Sequence, residues 1–115
     1  MDAAVMYAVR FWVDPQGHRE VFAWLDGGHC AEVASQPGFL SYQRVALEQP
    51  DAQGWPGYMM LYGVASREAL QAYMDNDALR KKFEAQRAPF AQYLRTERAW
   101  GVVEASLRNS TTAQR

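Results

Sequence analysis

The chain has 115 residues, 49% hydrophobic and 13% aromatic, with 12 Lys and Arg against 13 Asp and Glu for a formal net charge of -1. That length fits one domain of ordinary size, and the near-neutral balance lacks the basic excess that a dedicated nucleic-acid binder gathers on one face to neutralise phosphates. The single cysteine, Cys30, excludes an intramolecular disulfide and every multi-cysteine metal motif, so a reducing, cytoplasmic setting is expected.

Val5 to Val13 reads VMYAVRFWV, rich in β-branched and aromatic residues, and stops at the turn signal Asp14-Pro15-Gln16-Gly17: a first strand. From His18 to Val33 the positions Phe22, Leu25 and Val33 recur at helical spacing, with Gly27-Gly28 weakening the middle and Gln36-Pro37-Gly38 ending the run. Phe39 to Leu47 is a second strand, Gln49 to Gly57 a long loop, and Tyr58 to Ala65 a third strand. Ser66 is a suitable N-cap for a second helix running to about Leu94, broken near Asn76 and kinked or restarted at Pro89. Glu97 to Ala105 supplies a fourth strand. The order β-α-β-β-α-β predicts an α+β, ferredoxin-like fold: a four-stranded antiparallel sheet with its helices on one face. One domain over residues 1–105 and a flexible polar tail over 106–115 are expected, because the tail has too little apolar surface to offset its ordering entropy. The start, Met1-Asp2-Ala3-Ala4-Val5, lacks the charged and long apolar regions of a secretory signal. Nor is there a run of about 18 apolar residues to cross a bilayer, so no membrane partner is expected.

Side chains of a strand point to opposite faces with period two, so a sheet covered on one side should alternate apolar and polar. The first and third strands do not. Val5, Tyr7, Val9, Phe11 and Val13 share one face of the first, while the other carries Met6, Ala8, Arg10 and Trp12; on the third, Tyr58, Met60, Tyr62 and Val64 oppose Met59, Leu61 and Gly63. Helices cover one face only, and large exposed apolar patches mark contact sites. A second copy packed sheet to sheet about a two-fold axis is the simplest cover, with Arg10, Trp12, Met59 and Leu61 at the interface. Arg10, the lone charge there, then requires a carboxylate or a ligand anion, with an ion pair to the partner subunit expected.

The element order, together with Trp24-Leu25, His29, Glu32-Val33, Pro37-Gly38-Phe39, Tyr58 to Tyr62 and Ser66-Arg67-Glu68-Ala69-Leu70, resembles the dimeric α/β-barrel superfamily. It is similar to small uncharacterised bacterial members and, more distantly, to EthD-like and antibiotic-biosynthesis-monooxygenase-like proteins. The resemblance covers about residues 5 to 105 and implies a homodimer with a cavity between sheet and helices in each subunit. In some branches that cavity hosts cofactor-free oxidation or lactone isomerisation. The monooxygenase-like and haem-degrading branches often place a histidine on the second helix, where this chain has Tyr73 and Met74, so the resemblance implies no haem ligand here.

His29 is the first candidate for chemistry, as an acid or base. It lies four residues from both Leu25 and Val33 on the apolar stripe, with Asp26 and Glu32 at three-residue spacing, which would raise its pKa and fix its tautomer. The competing role is a structural histidine steadying the Gly27-Gly28 section. Tyr7, Tyr62 and Tyr73 are expected on the helix side, where buried hydroxyls near His29 would give an apolar pocket polar points. Trp100 could join them, although the parity of Ala99-Trp100-Gly101-Val102 leaves its face open. Cys30 follows His29 directly, and adjacent helical residues do not face each other, so a Cys-His nucleophile pair is not expected. Arg80-Lys81-Lys82 reads as a solvated helix side. No phosphate loop occurs, His18 and His29 stand eleven residues apart, and neither a metal nor a cofactor is expected. The leading expectation is a homodimer binding a small, largely apolar, aromatic or lactone-like molecule. The rivals are a cofactor-independent monooxygenase, EthD-like or lactone-isomerase enzyme using His29, and a structural dimer with no cavity.

Overall fold

Val5–Val13 forms β1, the strand on which the sheet is built: it pairs antiparallel with β3 (Gly57–Val64) on one side and β4 (Leu94–Val102) on the other. β2 (Phe39–Ala46) closes the outer edge of β3, giving the order β2-β3-β1-β4. This is the expected four-stranded antiparallel, ferredoxin-like α+β arrangement. The computed structural model describes residues 2–107, so the tail expected over 106–115 lies almost wholly outside the described residues.

The period-two pattern sets which face is core. Val5, Tyr7, Phe11 and Val13 of β1 and Met60, Tyr62 and Val64 of β3 are buried, and they pack with Val21, Leu25, Val33 and Leu70 from the helical layer. The opposite face is apolar and uncovered: Met6 is 37% exposed and Val45 38%, with Trp12, Met59 and Leu61 half-buried beside them. Arg10 finds its carboxylate within the chain. It faces Glu97 across the β1–β4 ladder at 3.6 Å and lies 5.4 Å over the Trp12 ring, so the partner subunit need not supply an acid.

The first helical segment is one rod with a defect. α1 (His18–Trp24) leads through a π turn over Leu25–His29 into α2 (Cys30–Ala34). The turn is made at Gly28, whose φ of 146° is closed to residues with a side chain. The Gly27-Gly28 pair expected to weaken the helix thus widens it by one residue instead. α3 (Arg67–Met74) starts where Ser66 Oγ accepts from Ala69 N at 3.0 Å, and α4 (Asp77–Arg87) where Asn76 Oδ1 accepts from Leu79 N at 3.1 Å. A 3₁₀ stretch over Ala88–Tyr93 follows, with Phe90 out of helical geometry at φ -127°. Leu94, expected on the second helix, opens β4 opposite Val13, and β4 begins three residues earlier than the sequence suggests. The reason is Pro89: it ends the regular α-helix, and the chain becomes extended soon enough to pair along all of β1.

Candidate functional site

Between the sheet and the helices lies a cavity of about 420 Å³. Its floor comes from β1, β3 and β4, whose ladder places Tyr62 and Trp100 on either side of Tyr7. The Tyr7 ring centroid is 5.9 Å from that of Tyr62, 6.0 Å from Tyr73 and 6.3 Å from Trp100, so one buried tyrosine gathers the other three rings. The register also settles the face of Trp100. It is directly opposite Tyr7, lines the cavity and stays 46% exposed at the rim.

His29 reaches the same cavity because the π turn sets it against the side chains ahead of it. Its ring stacks on Trp24 at 3.9 Å and meets Phe83 of α4 edge-on at 4.5 Å. The carboxylates expected to serve it are engaged elsewhere: Asp26 takes the Arg44 guanidinium at 2.7 and 3.3 Å, and Glu32 takes Lys82 at 2.6 Å. Burial between aromatic rings lowers the His29 pKa from its ordinary 6.5 to about 4; Glu32 opposes this, while Arg98 and Arg87 add to it. The expected rise is therefore corrected to a fall, because desolvation of the imidazolium outweighs a carboxylate that is already salt-bridged. The imidazole is neutral near pH 7, and its buried Nδ1 has no hydrogen-bond partner.

The other polar points line up along the floor. The Cys30 thiol is within interaction range of the Tyr62 hydroxyl, and the Arg98 guanidinium of the Tyr7 hydroxyl. Burial pushes the Cys30 thiol, Tyr7 and Tyr62 upward and Tyr73 to about 12, so all four keep their protons near pH 7. The site offers hydroxyl donors and a neutral imidazole set among rings, with no pre-ionised nucleophile. Among the described residues no group of three or more His, Cys, Asp or Glu is placed to hold a metal.

All five residues expected at the cavity, His29, Tyr7, Tyr62, Tyr73 and Trp100, line it. Missed by sequence reasoning were Trp24 and Phe83, which sandwich His29, and Arg87 and Arg98 at the cavity wall. Arg98 carried a usable signal, since it stands two residues before Trp100 and so shares its face. Trp24 and Phe83 carried only the apolar helical pattern and Arg87 carried no signal, because helix packing alone brings them to His29 and the cavity.

A ferredoxin-like sheet with an aromatic cavity under its helices defines the class of protein; its family follows from the sequence. The chain belongs to the family described as a domain of unknown function, DUF4286, which it matches over residues 4–97. No curated protein sequence matches it. Its fold is shared with SnoaB, a cofactor-independent oxygenase from Streptomyces nogalater, at 20% identity and a TM-score of 0.58 over 95% of this chain and all of that one. A monooxygenase from Streptomyces coelicolor in complex with nanaomycin D matches at 16% identity and a TM-score of 0.63, over 93% of each chain. A dimeric ferredoxin-like protein from an uncultured marine organism matches at 14% and 0.65, over 92% of this chain and all of that one. An EthD-family protein from Bacillus halodurans shares the fold as well. Among the described residues, no helix is long and apolar enough to cross a membrane.

Proposed function

We propose that the protein is a cytoplasmic homodimer whose subunits each hold a small, largely apolar, aromatic or lactone-like molecule in the cavity between sheet and helices. The observation that carries this reading is an open space of about 420 Å³ between sheet and helices, walled by aromatic rings and reached by His29. The volume suits two or three fused rings. A fold neighbour in complex with nanaomycin D supports a small-molecule guest, the aromatic walls support an aromatic one, and the apolar outer face with dimeric neighbours supports the homodimer. The cavity favours this reading over a structural dimer.

The test is titration with 2-naphthol, followed by thermal unfolding and tryptophan fluorescence. Saturable stabilisation is expected, with a ligand at a hundred times its dissociation constant adding about 2.7 kcal/mol. His29→Ala should fold and dimerise yet bind at least about tenfold more weakly, the worth of one hydrogen bond and a ring contact. Undiminished binding by a destabilised His29→Ala protein would return His29 to a packing role.

A second reading, cofactor-independent oxidation or isomerisation with His29 moving a proton, is favoured by one observation: the imidazole is neutral and able to accept a proton. A conjugate acid near 4 makes it a weak base, however, since general bases work best near the ambient pH. Oxygen uptake with anthrone that disappears in His29→Ala would establish this reading over simple binding.

A further inference from the structure

Five ion pairs among the described residues neutralise Arg10, Arg44, Arg80, Lys82 and Arg95. The two remaining arginines that line the cavity, Arg87 at the end of α4 and Arg98 on β4, have no described carboxylate within ion-pair range. They come from opposite layers, one from the helices and one from the sheet. Glu84 also lines the cavity, but it is paired with neither, so the wall carries two uncompensated guanidinium groups against one carboxylate. A guanidinium presents a planar fork of donors that matches a carboxylate, and Arg98, exposed at the cavity rim, and half-buried Arg87 are open to an incoming anion. Arg98 is also held in place, because its guanidinium rests at the buried Tyr7 hydroxyl.

We propose, resting on the cavity reading above, that the molecule held is an aromatic carboxylic acid: its rings lie against Tyr7 and Trp100, and its carboxylate is bound by Arg98 and Arg87. The acid supplies what both arginines lack, and the apolar walls take the ring system. Both arginines lower the His29 pKa, so their fields reach into the cavity, where an incoming anion would be attracted. The neutral imidazole then presents no competing positive charge.

The experiment compares 2-naphthoate with the isosteric neutral 2-naphthamide by isothermal titration of the full chain at neutral pH and low salt. The naphthoate is expected to bind about tenfold or more tighter, as a charge-assisted hydrogen bond to an anion exceeds a neutral one by roughly that factor. Arg98→Gln should abolish the preference, read as the ratio of the two affinities within the same variant, and Arg87→Gln should reduce it. Lys81→Gln, an equal charge change on the solvated side of α4, should leave it intact. Equal affinities in the wild type would overturn the acid assignment and leave the cavity reading standing. Binding of neither compound would overturn both. A preference that survives Arg98→Gln and Arg87→Gln would overturn the assignment to these residues, and near-UV circular dichroism of both variants separates that outcome from misfolding.

Discussion

At His29, desolvation between Trp24 and Phe83 outweighs the attraction of Glu32, and the ring stays neutral down to about pH 4. This ties its charge to stability. In the unfolded chain a histidine takes up its proton near pH 6.5, whereas in the folded chain His29 resists until about 4. Between those values the unfolded state binds more protons, so stability is full above about pH 6.5 and declines as the pH falls toward the folded value. The melting temperature of the wild type should therefore fall more steeply over that window than that of His29→Phe, which keeps the ring contacts and cannot titrate. Parallel curves would show that the imidazole is not held neutral. The placement of His29 on an apolar helix face was readable from its spacing to Leu25 and Val33. The sign of its shift was not, because it depends on Phe83, more than fifty residues away, and on Arg44 and Lys82 having already engaged Asp26 and Glu32.

The elements themselves were largely legible, for local reasons: turn residues bound the strands, and Ser66 and Asn76 cap the helices through their own side chains. What spacing could not show was how elements meet. Gly38, at the entrance to β2, has φ 83°, and a Cβ there would lie 2.5 Å from the Cβ of Ala69 on α3. It is thus required both by the left-handed turn and by close approach to a second element. Gly38→Ala should destabilise the fold by about 2–4 kcal/mol in urea denaturation, the sum of an αL penalty and an overpacking penalty. Gly54, at φ 82° with open space around it, isolates the first part: Gly54→Ala should lose only about 1–2 kcal/mol. Equal losses at the two positions would show that α3 yields to the added methyl. The π turn at Gly28 belongs to the same class, since one extra residue in the helix re-aims His29 without changing the apolar pattern that announced the helix.

For the whole molecule, the sheet's second face decides assembly. Met6, Trp12, Val45, Met59 and Leu61 leave a broad apolar surface that the helices cannot reach, while Arg10 and Glu97 satisfy each other inside one subunit. Sedimentation equilibrium at micromolar concentration should give a dimer for the wild type and a monomer for Leu61→Glu, which sets like charges against each other across the axis. A monomeric wild type would sink the two-fold packing. The sequence alone determined the order of elements, the two apolar faces of the sheet and the presence of His29, Tyr7, Tyr62 and Tyr73 on the inner side, because period and turn chemistry act between near neighbours. Only the tertiary structure decided the face of Trp100, the rings that enclose His29, the direction of its pKa and the meeting of Arg87 and Arg98 at the cavity wall. Each of these is set by strand register or helix packing, where distance in space is unrelated to distance along the chain.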